Sequence, residues 1–260
     1  MLPLLLPAPP PVDYLLRHVR REGEMVQYQM KNKSDLVLEL PGGAGDQEMG
    51  IEGDTLIIYK FGKLTSNGRK VRIVNRLKKM DMTGPAAAAA PKISEFPDIV
   101  FDGRLDSLNR LKVLPNDDLM GGSPMAQIGS SDPSNYFAFL PLPADRVGVG
   151  STWPVVLLQA KSTIVARFES VENGIAVIRL KGKMEKEDTM PGSEGEEVPV
   201  AFRGKMISKS TADIDGTVHL DVATGVTVKA DAKIAVRNQT SVGTYTVDVT
   251  GSGNSTWQRL

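Results

Sequence analysis

"VTVKADAKIAV", residues 226–236, decides the fold. Val226, Val228, Ala230, Ala232, Ile234 and Val236 recur every second residue, with Thr227, Lys229, Asp231, Lys233 and Arg237 between them. A period of two is that of a strand with one face in a core and one in water. A helix would need apolar residues three and four apart.

The same alternation spreads in both directions. "TVHLDVATGV" (217–226) sets Val218, Leu220 and Val222 inward and His219 and Asp221 outward, then reverses at Ala223-Thr224-Gly225. "TYTVDVTG" (244–251) alternates Tyr245, Val247 and Val249 with polar residues. "TIVARFES" and "IAVIRLKGKM" flank Val171-Glu172-Asn173-Gly174, and "DTLIIYKFGKL" and "RKVRIVNRLKKM" flank Thr65-Ser66-Asn67-Gly68. Asn-Gly between alternating runs is a hairpin signal, because both residues tolerate the positive φ of a tight turn.

One of only two tryptophans stands in "VGVGSTWPV" (147–155). It shares a plan with "RREGEMVQYQM" (20–30): a Gly, a short polar step, then a strand. Gly23 and Gly150 are each expected to turn the chain into the first strand of a meander. Trp153 is expected to plug the end of the sheet, and Pro154 suits a strand start or an edge.

The predicted architecture is mainly β: a large, strongly curved antiparallel sheet or half-barrel with one or two short helices. Residues 1–12 form a tail, and residues 13–260 form a single domain. Its sheet-forming halves, 13–83 and 147–260, are joined by the segment 84–146. In that segment "GPAAAAAPK" (84–92) reads as a low-complexity linker. Residues 99–105 suit a strand, and Leu105, Leu108 and Leu111 suit a short helix equally well. Residues 116–143 read as a loop and one short helix packing Tyr136, Phe137 and Phe139 across a sheet. The acidic stretch 186–199 reads as an exposed loop.

Composition narrows the chemistry. The chain has 260 residues, 41% of them hydrophobic and 5% aromatic, so the core rests on aliphatic side chains. Its 31 basic and 31 acidic residues cancel, which removes the global field that nucleic acid would require. No cysteine is present, so disulfides, thiolate nucleophiles and zinc–thiolate sites are excluded. His18 and His219 are the only histidines. His219 and Asp221 fall on one strand face, but no nucleophile elbow accompanies them. Asp117-Asp118 and Glu196-Glu197 lack the spaced oxygens of a calcium site. There is no phosphate loop and no dinucleotide fingerprint. No enzyme, cofactor or metal is expected.

The opening "MLPLLLPAPPP" reads as a truncated export signal followed by a Pro-rich tail, or as a plain disordered tail. No stretch is long and apolar enough for a membrane helix.

The most distinctive local feature is a basic hairpin. From Thr55 to Met80 there is no acidic residue. Lys70, Arg72, Arg76 and Lys78 share one strand face, against Val71, Ile73 and Leu77. Like charges on one face repel unless something anionic sits opposite. The face is either simply solvated or met by a partner: the chain's own acidic loop (Glu185, Glu187, Asp188, Glu194, Glu196, Glu197), an anionic envelope surface, or nucleic acid. The last is disfavoured because no aromatic is interleaved for base stacking.

Three stretches carry a family likeness: "YLLRHVRREGEMVQYQMKNKSDLVLEL" (14–40), "FLPLPADRVGVGSTWPV" (139–155) and "HLDVATGV" (219–226). Together they resemble a family of uncharacterised bacterial exported β-rich proteins. The resemblance implies a curved sheet similar to the half-barrel of periplasmic lipoprotein carriers, a concave apolar face partly covered by helices or loops, and no catalytic residues. Pro154 after the tryptophan departs from the pattern.

Eleven methionines add adaptable apolar surface. The sequence thus leads to a non-catalytic exported binding protein, periplasmic or extracellular, that holds a lipid or other apolar small molecule in a concave sheet face. The other reading is a structural or protein-interaction module of the cell envelope with a filled core.

Overall fold

The computed structural model describes residues 13–39, 45–85, 87, 97–114, 135–158, 160–190, 205–242 and 245–260. The tail 1–12, most of the 84–92 linker and residues 191–199 of the acidic stretch 186–199 lie outside these.

Among the described residues, twelve antiparallel strands form one sheet. The first five are β1 (Met25–Glu39), β2 (Asp46–Thr65), β3 (Gly68–Thr83), β4 (Ile99–Leu105) and β5 (Leu111–Val113). A single helical turn, α1 (Asn135–Ala138), precedes β6 (Thr152–Pro154), β7 (Lys161–Ser162) and β8 (Val165–Glu172). Four long strands finish the chain: β9 (Ile175–Met190), β10 (Met206–Asp221), β11 (Val226–Val242) and β12 (Tyr245–Arg259). Spatial order is β5-β4-β3-β2-β1-β12-β11-β10-β9-β8-β6, with β7 on β9. Two meanders therefore meet where the first long strand pairs with the last, from Tyr28↔Arg259 to Glu39↔Asp248.

The alternation read from sequence is what the strands show. Asn173 and Gly174 both take positive φ (52° and 78°) and close the β8–β9 hairpin. Gly68 takes φ 101° after Ser66-Asn67 in the β2–β3 turn. Gly23 and Gly150 have φ of 80° and 92° and lead into β1 and β6, as expected. Trp153 is buried, and its indole N–H donates to the Pro141 carbonyl at 3.0 Å.

Four expectations are corrected. The sheet is open; it neither closes nor curls strongly. Curvature is built with bulges, and the central pairings β2–β1–β12–β11 run without one. Residues 105–111 form no helix. Asp106 Oδ1 accepts the Leu108 and Arg110 amides, both at 2.9 Å, and turns β4 into β5. In β11 a bulge after His219/Leu220 puts Thr227 on the core face, fully buried, and leaves Val228 half-buried. Residues 186–190, placed in a loop by sequence, continue β9.

Candidate functional site

Cross-strand register sorts the sheet into two faces. One is apolar and divides along the strands into two zones. In the proximal zone the side chains are buried: Tyr28 and Met30 on β1, Ile57 and Tyr59 on β2, Ile178 on β9, Val218 on β10, Ala230 on β11 and Trp257 on β12. Two segments pack there. The first, before β1, buries Leu16; its Val19 amide donates to the Thr224 carbonyl at 2.9 Å. The second runs from α1 to β6 and buries Phe137, Phe139, Leu140 and Leu142. Phe139 packs edge-on to Tyr59, with ring centroids 4.5 Å apart, and the Thr227 hydroxyl donates to the Phe137 carbonyl at 2.7 Å. Tyr136, grouped by sequence with these aromatics, has a side chain outside the described set.

In the distal zone the same face continues half-buried, apart from Ala212 at its β10 end, which is buried. One register row runs Ala212, Val236, Gly251, Leu36, Met49. The next runs Ser210, Asn238, Val249, Leu38, Gln47. Ile51, Met80, Met82 and Val247 belong to this face too, and all four are half-buried, as are Leu36, Leu38, Met49, Val236 and Val249. On the β10–β11 side the face turns polar. Asn238 Oδ1 accepts the hydroxyls of Ser208 (3.0 Å) and Ser210 (3.3 Å). The distal zone is amphipathic: aliphatic and thioether surface lies beside a hydroxyl–amide cluster.

Gly251 and Gly253 are required at the centre of this zone. A Cβ at Gly251 would strike the Asp35 carbonyl and the Leu36 side chain; one at Gly253 would strike Ser34 and the Lys33 carbonyl. The β1 side chains lean across β12 into the space that the glycines leave.

The opposite face is charged. Lys183 and Asp213 pair at 3.4 Å, and Arg179 pairs with Asp215. An open groove of about 620 Å³ lies on it, lined by Lys33, Asp35, Lys181, Lys183, Asp213, Asp215 and Lys233, with Ala235, Ser252 and Asn254. A concavity thus occurs on the charged side, whereas the sequence placed one on the apolar side.

Of the four basic candidates, Lys70, Arg72 and Arg76 share the charged face of β3; Lys78 sits in a bulge opposite Asp54/Thr55. Arg72 makes a forked pair with Asp102 of β4 (3.0 and 3.1 Å), and Arg76 a forked pair with Asp98 (2.8 and 2.6 Å). These bonds hold both aspartates below the usual carboxylate range. The neighbouring strand and its approach supply the counter-charges for both arginines. Sequence reasoning missed this partnership because β4 lies beyond the linker, and nothing local reveals its register. Elsewhere, Asp221 does not pair with His219. Its Oδ1 accepts the Ala223 and Thr224 amides and shapes the β10–β11 turn. Among the described residues no helix is long and apolar enough to cross a membrane.

No protein-family description matches this chain, and no curated protein does. Solved structures resemble it in fold. One, described as "Lipid-protein interactions in lipovitellin", superposes on 92% of this chain with a TM-score of 0.50 and 11% identity. The chain matches 25% of that protein's length. At this identity the likeness is one of fold: a large antiparallel sheet. The COG4313 outer membrane channel from Pseudomonas putida F1 aligns with 94% of this chain at 8% identity and a TM-score of 0.28, too low to carry an argument.

Proposed function

We propose that this protein is a non-catalytic, exported binding protein that holds a lipid-like amphiphile on the distal zone of its apolar face. The observation that carries the reading is the composition of that zone. Leu36, Leu38, Met49, Ile51, Met80, Met82, Val236 and Val249 offer apolar surface for acyl chains, next to Ser208, Ser210 and Asn238 for a polar head. Burying aliphatic chain there gains about 25 cal/mol per Å² of apolar area removed from water. Methionine side chains adapt to ligands of varied shape. The fold likeness to lipovitellin, a protein whose description names lipid–protein interactions, supports the same reading.

Titration with a fluorescent fatty acid tests it. Saturable binding is expected in the wild type. Leu36→Asp and Val249→Lys, both on half-buried sheet positions, should each weaken it about tenfold or more, because each puts a charge into the acyl contact. Wild-type affinity in both variants would remove the proposal.

A second reading, a structural or protein-interaction module with a filled core, draws on the proximal zone. There Phe137 and Phe139 already occupy the space above Tyr59 and Thr227. It predicts no saturable fatty-acid binding at all.

A further inference from the structure

At the edge of the sheet formed by β6 and β8, the charged face becomes apolar. Val165 stands opposite Pro154 in register and is 46% exposed. Beyond β6, Val156 and Leu158 are 49% and 47% exposed and alternate with the buried Val155 and Leu157, so they point away from the core. On β9, β10 and β11 the same face carries mostly lysine, aspartate and threonine, so hydration does not explain these three side chains. Clustered exposed aliphatics mark an interaction surface.

Three cations border the patch. Lys181 stands opposite Val165, Arg167 opposite Thr152, and Lys161 lies on β7 just before β8. All three are exposed. Lys161 stands in register with Glu185 of β9 and Lys181 with Asp215 of β10, yet among the described residues neither closes to an ion pair, and Arg167 faces Arg179. They differ in this from Arg72 and Arg76, whose charge is already met by Asp102 and Asp98.

We infer that this edge docks on an anionic phospholipid surface, with Val156, Leu158 and Val165 entering the headgroup boundary and Lys161, Arg167 and Lys181 meeting lipid phosphates. Apolar side chains ringed by exposed cations are the pattern of interfacial membrane binding. A partner strand is a poor occupant. The edge strand β6 has only three residues, and its Pro154 has no N–H to donate. A second copy is also a poor occupant, since a two-fold contact would set the three cations against themselves. The inference deepens the proposed function by placing the carrier's membrane contact at this edge, and rests on that reading only for the cargo.

Vesicle flotation tests it with the full chain after organic extraction of any cargo and refolding, so docking is read apart from ligand binding. The wild type should float with mixed phosphatidylglycerol–phosphatidylcholine vesicles and much less with pure phosphatidylcholine. Each basic side chain at an anionic surface is worth about fivefold in partition, so Lys161→Glu, Arg167→Glu and Lys181→Glu together, which also add repulsion, should lower it by more than about a hundredfold. Val156→Asp with Leu158→Asp should abolish flotation. Arg72→Gln with Arg76→Gln should leave it unchanged. All these positions are exposed, and unchanged circular dichroism verifies each fold. Equal partition into neutral and anionic vesicles, or indifference to the triple charge reversal, would overturn the inference. So would an apolar variant that changes the oligomeric state and leaves flotation intact. Failure to bind fatty acid alongside normal flotation would remove the cargo reading and leave the docking surface.

Discussion

The Tyr28 hydroxyl of β1 donates to the Thr227 carbonyl of β11 at 2.8 Å, reaching past the intervening strand β12. Trp257 of β12 lies against the same phenol, with ring centroids 6.1 Å apart. This contact ties the first meander to the second at the bulge that turns Thr227 inward. Burial also pushes the Tyr28 phenol above its ordinary pKa, so it remains a donor in alkali. Tyr28→Phe should cost about 1.5 kcal/mol, read as a lower urea midpoint with an unchanged slope.

His18 gives the fold an acid-sensitive point. Its ring packs against Phe61 and Phe139, with centroids 5.4 and 6.0 Å away, and its Nε2 is buried without a hydrogen-bond partner. Burial, then the charges of Arg20 and Arg69, lower its pKa from 6.5 to about 3. The unfolded chain therefore takes up a proton between these values that the folded chain refuses. The stability from a neutral His18 is fully present above pH 6.5 and is lost as pH falls toward 3, by about 1.4 kcal/mol per pH unit. His18→Leu should flatten that part of the profile. Urea midpoints of both proteins between pH 7 and pH 4 measure the difference; parallel profiles would contradict the account.

Two glycine substitutions separate backbone strain from crowding. Gly23 has φ 80° with nothing near its missing Cβ, so Gly23→Ala should cost about 1 kcal/mol. Gly251→Ala drives a methyl into the Asp35 carbonyl across the β1–β12 joint and should cost about 3 kcal/mol. Chemical denaturation ranks the two.

Much of this fold was legible locally. Asn173-Gly174 announced its turn, and the 226–236 alternation announced its strand, because both depend on nearest-neighbour sterics. What failed to show depended on pairing across distance. The Thr227 bulge is set by β10. The contact of Asp98 and Asp102 with the basic strand requires knowing that β4 follows β3 in space. The expected curvature failed for the same reason: bulge positions, not apolar content, decide how a sheet bends. The polar cluster of Ser208, Ser210 and Asn238 was hidden as well, since it forms only when β10 and β11 are in register.

The neutralised hairpin yields its own prediction. Asp98→Asn with Asp102→Asn leaves Lys70, Arg72, Arg76 and Lys78 without counter-charge on β3. Elution from a heparin column should move to higher salt, as for any surface that gains unpaired cations. An unchanged elution would mean that these pairs do not set the surface potential.

Native mass spectrometry of protein purified under mild conditions, followed by organic extraction, tests the central claim most directly. The account predicts a discrete added mass that extracts as lipid and is lost in Leu36→Asp. A bare polypeptide mass, unshifted after incubation with anionic and neutral lipids, would contradict it and leave a sheet protein whose apolar face serves the fold alone.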